Sequence, residues 1–488
     1  MLAPRKSREG PIEFLSHSES KSIGVEGSPP FGPNMGSVKR CAISLLALAL
    51  LALPAGAAGA TKERPREPFF PRAGNAGYDA TSYAAQIVFQ PRTGRIEATA
   101  QVEALARQRL SRLSLDLHGL TVTAVEVNGE RARFNRGRDK LKIEPRTPVP
   151  AGSGFRVTVH YEGKPRTVVD PDGGREGWIP TYDGAFAVGE PLGTAAWLPC
   201  NNTPGDKAAF QIALNVPSRL KAVSNGRLLQ IAHGGGRSTY TWREPGPMSP
   251  YLALVAIGRG KLRSGKVAGR PSWTLIDPVL EKYSLPILAK LGEVIRFEEG
   301  IFGPYPFETV GSVVDFEPDL GYALETQSRP IYAFVPDLTT VVHETAHQWF
   351  GNSVGLQRWP NIWLNEGFAT WAQWYYAEQH GGRSARQIFR ALYRVPASNE
   401  ELWEPPSGHP GSTKNLFAAS TYVRGAMGLE ALRIKVGTAP MLRVLRRWAA
   451  ARAHASANIK QFIAHAERVT GENLGPLFQR WLYKRGKP

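Results

Sequence analysis

The sequence predicts a multidomain protein: an N-terminal antiparallel, β-sandwich-like domain followed by a mainly helical α+β domain. Three observations predict it. A chain of 488 residues is long enough for two or three domains, each burying a core of its own. Apolar residues alternate at period two from about Tyr78 to Gly260, the pattern of half-buried strands. After about Arg270 the apolar spacing becomes helical. Fifty glycines and 39 prolines require many turns and argue against an all-helical chain.

Four segments follow in order: a spurious or disordered extension over 1–34, a signal peptide over 35–60, a β domain over 61–267 and a catalytic domain over 268–488. Residues 1–34 are polar and patternless, as in "SHSESKSIGVEGSPPFGP". Met35 then opens "MGSVKRCAISLLALALLALPAGAAGA". Lys39 and Arg40 form a basic start, Cys41 to Leu53 an apolar run, and Ala58-Gly59-Ala60 a small-residue cleavage signal. That combination describes a secretory signal peptide cleaved near Ala60. Thirteen apolar residues fall short of the roughly 20 that a membrane-spanning helix needs. The expected product is a secreted protein with no transmembrane segment.

From Thr61 onward the chain keeps one cysteine, Cys200, so no internal disulfide supports the fold. Its setting, "WLPCNN", has no adjacent histidine, which favours a structural thiol over a nucleophile. Net charge is +18, and the first 60 residues carry six Lys/Arg and four Glu, leaving about +16. The basic residues are scattered and no nucleic-acid motif accompanies them, so nucleic acid is not an expected partner. Weak association with an anionic envelope surface is the remaining implication of the charge.

Within the β domain, "RIEATAQVEAL", "LSLDL", "TAVEVNGERARF", "KLKIEP" and "FRVTVHY" read as strands. Asn128-Gly129 is a hairpin-turn signal. The Gly/Pro-rich "EGKPRTVVDPDGGREGW" reads as a long surface loop. Further on, "LPILAKLGEVIRFEEGIF" has helical spacing, "TVGSVVDF" is a short strand, and "DLTTVVHETAHQWF", "NIWLNEGFATWAQWYYAEQH", "AMGLEALRIKVG" and "NIKQFIAHAERV" are helical.

The first of those last helices carries the chemistry. Asp337 after Pro336 is its expected N-cap, and Gly351-Asn352 its expected end. His343 and His347, one turn apart, share a face, so both imidazoles can reach one ion at roughly 2.0–2.1 Å. Glu344 is rotated about 100° from His343, beside the ion and able to deprotonate a water held there. Catalytic zinc takes three protein ligands and keeps one position open. Glu366, 19 residues after His347 and early on a helix expected to be capped by Asn361 and closed by Gly381-Gly382, can supply the third. The competing reading is a helix whose two histidines are satisfied in the core; a glutamate at this offset weighs against it.

With that spacing the chain resembles the M1 family of zinc aminopeptidases, the gluzincin type with His-Glu-x-x-His, eighteen residues, then Glu. The resemblance runs over about 78–488 and implies a thermolysin-like zinc peptidase domain with one Zn²⁺ per chain, held by His343, His347 and Glu366. "GYALETQSRP" resembles the family's exopeptidase strand, with Glu325 on the glutamate that binds the substrate's α-ammonium. Leu324 and Thr326 stand where Met and Asn are usual. The backbone from Gly321 to Ala323 would pair with the peptide as an added strand. "GEPLGTAAWLPCNNTPGDKAAF" places Glu190 ten residues before Cys200, as the second amine-binding glutamate stands in relatives. "STYVRGAM" matches the segment with the family's catalytic tyrosine, implying that Tyr422 donates to the oxyanion. "FQRWLYKRGKP" resembles the end of the family's catalytic domains, before the β-sandwich and helical cap of longer members; a short, two-domain form is implied. Gln373 stands where a carboxylate is common.

The implied function is a secreted zinc aminopeptidase acting on peptides with a free N-terminus. Glu344 is the general base on a zinc-activated water and Tyr422 stabilises the oxyanion. Alternatives on the same site are an endopeptidase, an epoxide hydrolase, and a relative that binds peptides without turnover.

Overall fold

The computed structural model describes residues 67–488; the expected extension and signal peptide lie outside the described residues. Among these, no helix is long and apolar enough to cross a membrane.

An eight-stranded sheet runs in the order 227–234, 237–248, 208–217, 78–90, 95–106, 154–163, 121–127, 130–131. The predicted alternation buries one face: Ile96, Ala98, Ala100, Val102, Ala104 and Ala106 point inward along a single strand. Asn128 and Gly129 adopt φ 52° and 82°, the two positive values a two-residue hairpin turn needs. One pairing departs from the antiparallel expectation: Tyr78–Gln90 lies parallel to Ala208–Pro217, from Ser82 opposite Ala209 to Val88 opposite Asn215.

A second sheet, ordered 221–224, 255–258, 185–188, 175–180, 167–169, supplies Ala185–Val188 and Val255–Gly258, which are buried throughout. Phe89 and Trp178 meet between the two sheets, ring centroids 5.9 Å apart. The stretch expected to be a surface loop is instead a hairpin in this sheet, with Val169 opposite Arg175. Its turn is held by the Asp170 carboxylate, which accepts the amides of Asp172, Gly173 and Gly174. Pro, Asp and Gly here mark a tight, side-chain-closed turn between strands.

A third sheet, ordered 263–267, 270–276, 310–314, 331–332, 323–324, faces the helices. The expected domain boundary falls in the turn of its first hairpin, where Val267 pairs with Arg270. The two-residue strand Ala323–Leu324 forms one outer edge. The expected helices follow as Leu338–Ala346, Trp363–Gln379, Ala419–Val436 and Ile459–Thr470, preceded by Glu281–Leu288 and Leu291–Phe302.

Two contacts position the site. Gly367 and Gly425 let the helices that carry them approach closely around Trp363, whose Nε1 donates to the Gly425 carbonyl at 3.0 Å. A Cβ on Gly425 would stand 2.6 Å from the Trp363 ring, so any larger residue would push these helices apart. Arg424, fully buried, donates to the carbonyls of Trp481 at 2.9 Å and Gly486 at 3.1 Å, and to those of Trp403 and Lys484. The chain after residue 480 is thereby tied to the Ala419–Val436 helix.

Candidate metal centre

The first ligand helix starts where its cap predicts. The Asp337 carboxylate accepts the Thr340 N–H at 2.6 Å, satisfying a donor the helix leaves free. The helix ends at Ala346, with His347 as C-cap, several residues before the expected stop at Gly351-Asn352. From His347 on the chain forms tighter turns: Gln348 N–H bonds to Thr345 O and Trp349 N–H to Ala346 O. The His347 ring is fixed by Nδ1 against the Phe350 carbonyl at 3.1 Å, which leaves Nε2 facing the centre. The second ligand helix also departs from expectation at its start. Trp359–Asn361 is a short 3-10 turn, Ile362 is the N-cap, and Asn361 donates to the Arg358 carbonyl instead.

The predicted ligands converge. Glu366 Oε2 lies 3.3 Å from His343 Nε2 and 3.4 Å from His347 Nε2. The donor atoms of all three residues lie within 4.8 Å of one another. Two ligands about 2 Å from a tetrahedral zinc stand roughly 3.3 Å apart, so the spacing fits that ion. The electrostatics fit as well. Burial opposes charge on His347, but the carboxylates of Glu366, Glu325 and Glu344 outweigh it and raise its pKa to about 10. Burial likewise works to raise Glu366, yet His347 and His343 hold it down at about 2. Burial lowers His343, keeping it the neutral imidazole that metals bind. The pocket thus favours positive charge where the three donors meet. The Gln373 side chain, at the position where a carboxylate is common in the resembled family, adds a small raising influence on His343.

Glu344 is buried beside the donors. Burial pushes its carboxyl well above the usual range, with His347 pulling down and Glu325 and Glu366 pushing further up. Such a carboxylate can take and return a proton. Tyr422, on the Ala419–Val436 helix, stacks at 6.2 Å from His343, the ring planes 24° apart. Burial raises its phenol well above the ordinary value, and the charges of Glu366, Glu190, Glu325 and Glu344 add to this. It stays a neutral donor.

Glu325 follows the edge strand and is buried; Glu190 follows the Ala185–Val188 strand and is half-buried. Each keeps one oxygen, Oε1, with no hydrogen-bond partner among the described residues. Burial raises both carboxyls, and each feels other glutamates: Glu190 above all Glu325, then Glu366 and Glu344; Glu325 chiefly Glu366, offset by His347. Unpartnered buried carboxylate oxygens in like-charged company call for a cationic, multi-donor partner. Ala323 lies on the sheet's outer edge, pairing with Tyr332 on its inner side. Gly321 precedes the strand, exposed and at φ 76°. Sequence reading missed Tyr251, whose hydroxyl donates to the Gly351 carbonyl at 3.5 Å, accepts from Asn365 Nδ2 at 3.3 Å and helps to lower the Glu325 carboxyl. It sits in the β domain, 74 residues before Glu325, and no local signal marks it.

Two family models match the chain. The Peptidase M1 N-terminal domain covers residues 80–252 and the Peptidase family M1 domain covers residues 330–481. Among curated proteins, the leucyl aminopeptidase of Saccharolobus solfataricus is 24% identical over 411 residues, covering 77% of this chain and 50% of that protein. Aminopeptidase M1 of Arabidopsis thaliana is 26% identical over 330 residues, covering 61% and 36%. The chain therefore spans half or less of these relatives. Among solved structures, an M1 zinc metallopeptidase from Deinococcus radiodurans superposes with a TM-score of 0.80 at 28% identity, covering 86% of this chain and 97% of that one. A mutant of that enzyme bound to a Tyr-Ser-Ala substrate gives 0.79 at 27% identity, covering 86% and 98%.

Proposed function

The chain belongs to peptidase family M1, and on that premise we propose that it is a secreted zinc aminopeptidase that removes N-terminal residues from peptides. The observation that carries this reading is the pair of orphan carboxylate oxygens on Glu190 and Glu325 beside the His343–His347–Glu366 donors.

His343, His347 and Glu366 would hold the zinc, which supplies a Lewis acid for the scissile carbonyl and for water. The remaining work falls to the chain. Glu325 and Glu190 receive the substrate's α-ammonium, whose three donors match their free oxygens. The outer edge at Ala323 offers backbone groups to an extended peptide. With the ammonium anchored, the first peptide bond is the one that reaches the metal donors. Glu344 takes the proton of the attacking water and returns it to the leaving amine. Tyr422 donates its O–H to the oxygen on which negative charge develops. The aminopeptidase names of the curated relatives, and the zinc metallopeptidase class and Tyr-Ser-Ala substrate of the structural neighbours, support this reading. Export rests on the basic-apolar-small pattern over 35–60; N-terminal sequencing of secreted protein tests it, and a mature chain beginning before Met35 would contradict it.

The test is cleavage of matched peptides with free and acetylated N-termini, with and without a chelator, read by mass spectrometry. Release of single N-terminal residues from the free peptide only, abolished by the chelator, is expected. Equal cleavage of both peptides would instead identify an endopeptidase.

A further inference from the structure

We propose that Asn352 is a positioning residue that sets the distance between the metal donors and Glu325, and thereby which peptide bond is cut; the proposal rests on the aminopeptidase reading. Asn352 is fully buried in the turn after His347. Its backbone N–H bonds to the His347 carbonyl at 2.9 Å. Its side-chain Nδ2 donates to the Glu325 carbonyl at 2.7 Å. Two hydrogen bonds through one residue therefore join a metal donor's backbone to that of the ammonium-binding glutamate.

The link is braced on both sides. Gln348, next to His347 and also buried, donates from Nε2 to the same Glu325 carbonyl at 3.1 Å. Its Oε1 accepts the Ser328 N–H at 2.8 Å, beyond Glu325 on the chain. Both lone pairs of the Glu325 carbonyl are thus taken by amides from the metal-site turn. Asn352 in turn is held by the β domain: Lys207 Nζ donates to the Asn352 carbonyl at 2.6 Å and to the Ser353 carbonyl at 2.8 Å. These carbonyls lie in the turn that follows the Leu338–Ala346 helix, so Lys207 fixes that turn against the β domain. Glu325 needs such external fixing because the strand it follows is only two residues long and pairs on one side. A carboxylate displaced by an ångström would misplace the first peptide bond, a shift that costs about a hundredfold in rate.

The test uses the zinc-loaded full chain and its Asn352→Ala and Gln348→Met variants. Metal content, kcat and KM are measured on a peptide with a free N-terminus and its acetylated counterpart, and products are read by mass spectrometry. Expected are unchanged zinc stoichiometry and a roughly tenfold to hundredfold smaller preference for the free N-terminus, chiefly through KM, with dipeptide release appearing beside single residues. A variant that binds zinc, loses thermal stability and keeps the wild-type preference would overturn the proposal, since that is what a merely structural residue would do. Gln348→Met, which removes one donor at similar volume, carries the same readout should Asn352→Ala fail to fold. Wild-type protein with no preference for a free N-terminus would overturn the aminopeptidase reading itself; preference in the wild type and equally in both variants overturns only the role of this turn.

Discussion

His343 Nε2 and Glu366 Oε2 stand 3.3 Å apart although 23 residues separate them in sequence. Two different helices deliver them, and the close approach of the second to the Tyr422 helix, through Gly367 and Gly425, brings Tyr422 and Glu366 into one pocket. The first three predictions each test one side chain of that pocket.

Glu344→Gln keeps volume and loses the proton acceptor. Zinc content by mass spectrometry should stay at one per chain, while kcat falls about 10²–10⁴-fold. Turnover within a few-fold of wild type would assign the base elsewhere.

Tyr422→Phe removes one hydroxyl beside His343. The expected loss is about 10²–10³ in kcat with KM nearly unchanged, the mark of a bond made only in the transition state. Steady-state kinetics decide it: a change confined to KM would make Tyr422 a substrate-binding group.

Gln373→Ala deletes a side chain that favours the charged form of His343 and donates through Nε2 to the Thr339 carbonyl at 3.3 Å. Loosening a ligand's support costs about 10–100-fold in metal affinity. Competition for zinc against a chromophoric chelator should show that loss. Gln373→Glu should restore the support and tighten binding.

Glu176 gives a prediction about pH and stability. Burial raises its carboxyl to about 8, against the lowering effect of the Leu192 and Gly193 amides, which Oε2 accepts at 2.8 and 2.7 Å. An unfolded glutamate titrates near 4.5. Between these values the folded chain binds the extra proton, so this group's contribution to stability is complete below about pH 4.5 and is lost as pH rises towards 8. The change is on the order of a few kcal/mol. Urea unfolding from pH 5 to 8 should show wild type losing stability relative to Glu176→Gln; parallel curves would refute it.

The clustering of His343, His347 and Glu366 was legible in the sequence because helix periodicity turns spacing into direction: residues four apart must share a face, and Asp337 marks where that helix begins. Its end was not legible. Gly351 attracts the eye as a stop, but the chain already tightens at Gln348 and Trp349, whose amides bond to Thr345 and Ala346, and the turn beyond is held by Lys207, more than 140 residues earlier. The parallel pairing of Tyr83 with Phe210 and the bonds of Tyr251 to Gly351 and Asn365 are hidden for the same reason. Each is decided by long-range packing that leaves no local pattern. The 167–180 hairpin was misread because Pro, Asp and Gly mark a turn without stating that strands flank it.

The guanidinium of Arg424 has a practical consequence. It sits two residues from Tyr422 and draws four carbonyls to itself, three of them from residues 481–486. A carboxypeptidase that trims the chain back past Trp481 would strand a buried cation, a defect that costs several kcal/mol. Exposure to such trimming should therefore extinguish catalysis at a site it never touches.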